Sequence, residues 1–139
     1  MRISKIFVTV DVIIAKIEQS DFFLLLIKRK NDPFKDFWAL PGGFVDENED
    51  LEIAAIRELE EETQIKVTHL EQVGAFGKPF RDPRGHMVSV AYFGMVPENT
   101  IAVAADDAKE AQWFSIKNLP KLAFDHLDII NTTLQKQNL

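Results

Sequence analysis

The chain predicts an α/β fold, a mixed sheet with helices packed on it, and three observations carry that prediction. Two stretches rich in β-branched residues open the sequence. A helical pattern beginning at Asp50 follows a glycine pair. Two further strand-like stretches and a closing helix complete the alternation of periods expected of an α/β domain.

Residues 3–17 read as one long strand and residues 22–29 as a second, with a polar break at 18–21 between them. Together they form an expected hairpin of buried strands. Asp11 interrupts the apolar run VTVDVII, so its carboxylate either stands near a site or partner or is tied down by hydrogen bonds. Lys28, Arg29 and Lys30 end the second strand, ordinarily a solvated strand end. Trp38 reads as a core anchor. Gly42 and Gly43 permit positive φ and close backbone approach. The helix is expected to start with Asp50 as N-cap and to run to about Thr63, with Ile53, Ile56 and Leu59 as its buried stripe.

Residues 67–76 and 87–96 read as two more strands. Between them GKPFRDPRGH, with two prolines and two glycines, excludes regular structure. Arg81, Arg84 and His86 make this the most basic loop: either a turn with solvated charges or arginine forks gripping phosphate bidentately. Residues 98–109 form a turn-rich loop carrying Asp106 and Asp107, and 110–116 a short strand. Pro120 precedes a final helix over about 125–137. His69, His86 and His126 lack zinc-site spacing, and His126 reads as structural.

A length of 139 residues without repeats or low-complexity segments implies a single domain over 1–139. The longest apolar run, residues 22–27, is too short to span a bilayer, and charges interrupt the N-terminal stretch where a signal peptide would need an apolar core. The absence of cysteine excludes disulfides and thiolate metal sites. These features lead to the expectation of a cytoplasmic protein. The net charge of −6 is uneven: residues 46–62 hold nine carboxylates and one arginine, leaving +2 on the rest. No basic patch of the kind nucleic acid requires stands out.

Glu58, Glu61 and Glu62 occupy i, i+3 and i+4 on one helical face. Like charges at that spacing repel, so the cluster makes sense when a hard divalent cation such as Mg²⁺ neutralises it. A solvated acidic face is the alternative, and the register weighs against it. Gly43, five residues, Glu49, seven residues, Arg57-Glu58-Leu59, one residue, Glu61-Glu62, one residue, then Gln64-Ile65 resembles the signature of the Nudix hydrolases. One position departs, Gln64 standing where the signature has glycine. The resemblance implies a Nudix-type α/β/α sandwich with a mixed β-sheet, and metal-dependent hydrolysis of a nucleoside diphosphate linked to another group. It assigns Glu58, Glu61 and Glu62 to the metal, Mg²⁺ with Mn²⁺ as a substitute, and the Gly43 carbonyl as a further ligand. It assigns Arg57 to orienting a glutamate and Glu49 to supporting the loop or metal site.

The segments RDPRGHMVSVAYFGMV and LAFDHLDII look like the ADP-ribose pyrophosphatase branch of that family. In that branch a proline about fifteen residues past the signature accompanies ADP-ribose specificity, and Pro79 stands there. The implied reaction is attack of metal-activated water on one phosphorus of ADP-ribose, giving AMP and ribose 5-phosphate. Arg29, Arg81 and Arg84 become the expected substrate-binding residues. The general base is left open between a signature glutamate and Asp106, Asp107 or Glu110. Two alternatives stand beside this reading. One is a pyrophosphohydrolase that clears nucleoside triphosphates; the other is a non-catalytic ADP-ribose sensor, although the 26 residues after Trp113 leave little room for an appended winged helix. The long apolar hairpin and the branch resemblance together imply a homodimer.

Overall fold

A computed structural model describes residues 2–139. Strands β1 (Ile6–Glu18) and β2 (Asp21–Arg29) form the expected hairpin, joined at Gln19 and Ser20, both at positive φ. Two consecutive left-handed residues twist the turn in the sense that matches the strands. The short strands β3 (Trp38–Ala39) and β4 (Gly42–Phe44) precede α1 (Leu51–Thr63). After it come β5 (Glu71–Phe76), β6 (His86–Met95), β7 (Ala108–Ser115) and α2 (His126–Lys136). The sheet runs β3-β2-β1-β6-β5, with β4 added to β1 and β7 to β2. β1 and β6 are parallel from Ile6↔His86 to Ala15↔Met95; the other pairings are antiparallel, so the sheet is mixed.

Period-two alternation divides the core. Val10, Val12 and Ile14 of β1 join Leu25 of β2 against Ala54, Ala55 and Leu59 of α1. Ile13, Ala15, Leu24 and Leu26 face the other way, onto Ile129 and Ile130 of α2. Burial on both faces explains why the two strands read as nearly continuous apolar runs. The first turn of this pattern is different, because Ile6, Phe7 and Val8 stay exposed.

α1 starts where expected: Asp50 accepts from the backbone N–H of Glu52 and Ile53. Its buried stripe is not the expected one. Ile53 lies largely in solvent, and the residues that face the sheet are Ala54, Ala55 and Leu59, with Ile56 at the margin. The close approach that small alanines allow turns the helix so that Glu58 and Glu62 face the protein. Gln64 closes the helix in the left-handed conformation, φ 61 and ψ 16, its N–H donating to Glu60 O at 2.8 Å. It therefore does the work of glycine there, at a cost of about 1 kcal/mol.

Only the last four residues of β1 pair with the start of β2, Ala15↔Leu24 to Glu18↔Asp21. Farther along, β4 takes the place beside β1, Thr9↔Phe44 to Asp11↔Gly42, and Val12 N–H donates to Pro41 O at 2.8 Å. The hairpin thus splays open, and the functional cleft lies in the gap.

Candidate functional site

The cleft has a volume of about 360 Å³ and is lined by eight carboxylates and four cations. Half of the carboxylates come from α1 and the loop before β7, and the cations from the end of β2 and the loop before β6.

Glu62 is buried to 4% exposure, and its Oε1 accepts the Gly42 N–H at 2.8 Å. Burial pushes its pKa up to about 8, with the charges of Glu58, Asp107 and Asp11 adding to the rise and the Gly42 bond opposing it. Glu58 is pushed up to about 6, because burial outweighs its bond to Arg57. Gly43 lies directly against it: a β-carbon on Gly43 would stand 2.6 Å from Glu58 Oε1. A side chain there would displace the carboxylate. Oxygen donors whose charge burial disfavours suit a hard divalent cation. Among the described residues, no three carboxylate or histidine side chains already converge as a finished metal cage. Glu61 stands apart from Glu58 and Glu62. It is half-exposed, does not line the cleft, and is held by Arg57 NH1 at 3.2 and 3.3 Å.

Arg57 is the hub beneath this wall. Its Nε and NH2 grip Glu49 Oε2 and Oε1 at 2.6 and 2.9 Å, NH1 reaches Glu58 at 2.9 Å, and NH2 also donates to Phe44 O at 3.1 Å. The Glu49 fork, more than any other contact, raises the Arg57 pKa and holds the Glu49 carboxyl below its usual range. Glu49 Oε1 also accepts the Asp46 N–H at 2.9 Å. Asp106 and Asp107 reach the cleft on a loop hooked to α1 through Val103 N–H to Thr63 O and Ala105 N–H to Glu62 O. Glu110 does not reach it and pairs with Lys28 on the sheet at 3.5 Å.

The three expected phosphate-binding arginines all line the cleft, in unequal states. Arg81 is 5% exposed, and both arms of its fork already bind Asp125, at 2.9 and 2.6 Å. That pair anchors the loop to the start of α2 and occupies the Nε–NH2 edge of the guanidinium. Arg84 is 37% exposed and bonds Asp82 at 3.1 and 2.8 Å. Arg29 donates from Nε to the neutral Pro33 carbonyl at 2.7 Å and forms no carboxylate pair among the described residues. Burial, then the charge of Arg84, lowers its pKa. The two guanidiniums lie 5.0 and 5.5 Å from one ring, Phe124. Two like charges about a single phenyl are relieved by an anion between them. Pro79 lies outside the cleft, in a shallow hollow with Phe80 and Pro83.

Asp11 stands at the cleft floor, buried, so it is both near a site and tied down. Its Oδ2 accepts from Ser89 Oγ, and His126 Nε2 lies 3.4 Å from Oδ1. His126 Nδ1 accepts the Leu40 N–H at 3.0 Å, which leaves the ring proton on Nε2. Burial lowers the His126 pKa and favours this neutral form. His126 is structural in that sense, yet it also lines the cleft. Sequence reasoning missed Thr9, Phe44 and Phe124. Thr9 had a signal, standing two residues before Asp11 on the same strand face. Phe124 had none.

An α/β sandwich that sets under-neutralised carboxylates opposite arginines defines a protein that brings a divalent cation and a phosphate-bearing ligand together. The chain belongs to the Nudix family: the NUDIX domain model matches residues 5–132. The ADP-ribose pyrophosphatase of Methanocaldococcus jannaschii is 47% identical over 131 residues, 94% of this chain and 75% of that protein. The ADPR responsive transcriptional repressor NtrR of Acinetobacter baylyi is 38% identical over 94% of this chain, which spans about half (54%) of the repressor's length. A bifunctional NMN adenylyltransferase/ADP ribose pyrophosphatase from Francisella tularensis, solved with AMP and a Mn ion, superposes with a TM-score of 0.85. It is 34% identical, over 98% of this chain and 43% of that one.

Proposed function

We propose that this protein is a metal-dependent Nudix diphosphatase that hydrolyses ADP-ribose to AMP and ribose 5-phosphate. The observation that carries this reading is the opposition across one cleft of the buried Glu62, with the half-buried Glu58 beside it, and Arg29, which donates to the neutral Pro33 carbonyl. Glu58, Glu62 and the Gly43 carbonyl would hold the cation, Mg²⁺ or Mn²⁺, with Glu61 joining once released by Arg57. When bound, the cation offsets charge on the phosphoryl oxygens and lowers the pKa of water. Arg29 and Arg84 bind the diphosphate and hold it against the acidic wall. Arg57 keeps Glu49 and Glu58 in place. Asp106, Asp107 and Glu62, which all line the cleft, stand as the candidates to receive the water proton.

The likeness to the ADPR responsive repressor favours a second reading, an ADP-ribose-sensing domain without turnover. One substrate panel separates these readings from triphosphate clearance: ADP-ribose, dGTP, ATP and dinucleoside polyphosphates, with phosphate release coupled to a phosphatase. Hydrolysis of ADP-ribose that needs Mg²⁺ or Mn²⁺ and stops in excess chelator is the expected result. A tenfold preference for a triphosphate overturns the substrate, and tight ADP-ribose binding without turnover overturns the enzyme. The proposal treats the chain as one domain at work in the cytoplasm, without a nucleic-acid role. No helix among the described residues is long and apolar enough to cross a membrane. The exposed Ile3, Ile6 and Val8 support a homodimer, which light scattering would report as twice the 15.9 kDa chain mass.

A further inference from the structure

We propose that the rings of Phe44 and Phe7 form the platform on which the base of the nucleoside diphosphate stacks. The inference rests on the proposed function and assigns the base end of the ligand. Two aromatic rings line the cleft among the described residues, Phe44 and Phe124. Phe124 is taken: Arg29 lies 5.0 Å from its centre, and the Phe34 ring packs at 4.8 Å. Phe44 is 42% exposed, and Phe7 beside it 54%. The two rings meet edge to face, 6.3 Å apart at 86°, which leaves a face of the pair open to solvent.

Phe7 shares the strand face of Thr9 and Asp11, both cleft residues, so the platform continues the cleft floor outward. The rest of the lining is dominated by charge and offers a flat apolar base little surface. Single exposed aromatics need no explanation, but two in contact at the mouth of a polar cleft do. The Arg84 guanidinium supplies the registration. It lies 5.3 Å from the Phe44 ring and 5.5 Å from Phe124, so one cation touches both the platform and the ring beside the proposed diphosphate site. A nucleotide needs that order: a stacking face, then a positive charge for its first phosphate. The platform is also rigid at its root, because the Phe44 carbonyl accepts from Arg57 at 3.1 Å.

The test is binding, so that it stands apart from turnover. AMP and inorganic pyrophosphate are titrated calorimetrically into wild type, Phe44→Leu, Phe44→Trp and Phe7→Leu with Mg²⁺ present. Phe44→Leu is expected to weaken AMP roughly ten- to a hundredfold, the weight of one base–aromatic stack, and to leave pyrophosphate unchanged. Phe44→Trp retains AMP affinity, and Phe7→Leu weakens AMP by less. Equal loss of both ligands would mean that the ring only supports the fold, and unchanged AMP affinity would mean that the base lies elsewhere. Either outcome overturns the proposal, as does a change in oligomeric mass with AMP binding intact, which gives the rings to a second copy of the chain. If AMP binding depends on Phe44 and ADP-ribose is not hydrolysed, the platform stands and the enzymatic reading falls.

Discussion

Replacing Arg57 with alanine should be the most revealing single change, because one cation holds Glu49, Glu58 and Glu61 at 2.6, 2.9 and 3.2 Å. Glu49 and Glu58 side chains are only 12% exposed, so removing the cation strands two nearly buried carboxylates. Breaking a buried pair costs about 3–5 kcal/mol, and an exposed one about 0–1. Arg57 itself is 27% exposed, which places the expected loss at about 2–4 kcal/mol in metal-free protein. Urea unfolding after chelator treatment measures it. A double-mutant cycle with Glu49→Gln should return a coupling of about 1.5–3 kcal/mol, the range of charge-assisted bonds. Arg57→Lys keeps the charge, loses the fork, and should recover less than half. The pH dependence has a definite sign. Arg57 depresses the folded-state pKa of Glu49, so that stability is present above the ordinary value of 4.5 and is lost as pH falls below it. The gap between wild type and Arg57→Ala should therefore close in acid. A loss under about 1 kcal/mol, or a coupling with Glu49 near zero, would refute the hub.

Two further outcomes follow from the walls of the cleft. The folded-state pKa of Glu62 is raised, so the folded metal-free protein holds that proton more tightly than the unfolded chain, and stability falls as pH rises from 4.5 through about 8. Glu62→Gln keeps an acceptor for Gly42 without the charge and should remove a penalty on the order of 4 kcal/mol at high pH, while lowering kcat by orders of magnitude; a wild-type-to-variant difference equal at pH 5 and pH 9 in urea melts contradicts this. Arg29→Ala and Arg84→Ala should each lose about 1.5–3 kcal/mol of transition-state binding, or roughly ten- to a hundredfold in kcat/KM. Arg81→Ala should instead lower Tm by stranding Asp125, and a well-folded Arg81→Ala with hundredfold weaker turnover would show that the division of labour among the arginines is wrong.

Much of this arrangement was legible in the residues, for identifiable reasons. A capped helix carrying carboxylates at i, i+3 and i+4 is a local object, and Asp50, Glu58 and Glu62 stand where local rules put them. Strands buried on both faces announce themselves by composition, as β1 and β2 did. What spacing does not encode is which partner a charge finds across the fold. Arg81 and Arg84 look alike in RDPRGH, yet Arg81 meets Asp125, 44 residues away, and Arg84 meets Asp82, two residues away. Ile53 was placed in the core by its hydrophobicity, and the two alanines beside it took that position because their size lets helix and sheet approach. His126 carried no spacing signal at all, since its partners Leu40 and Asp11 lie on other elements.

The splay of the hairpin ties these parts together. β1 leaves β2 after four paired residues, and the gap admits β4 with its two glycines. A side chain at Gly42 would collide with Asp11 Oδ1 at 2.8 Å, and one at Gly43 with Glu58, so the strand that fills the gap must be bare. Its bareness lets the Gly42 N–H reach the buried Glu62. The same strand ends in Phe44, whose carbonyl is held by Arg57 and whose ring packs on Arg84. Three residues thus touch the acidic wall, the cationic wall and the proposed base platform. With eight carboxylates against four cations, the cleft as it stands repels a diphosphate. A divalent cation at the acidic wall would reverse that balance on the side facing the proposed ligand contacts of Arg29 and Arg84. Metal and substrate should therefore bind cooperatively, each strengthening the other.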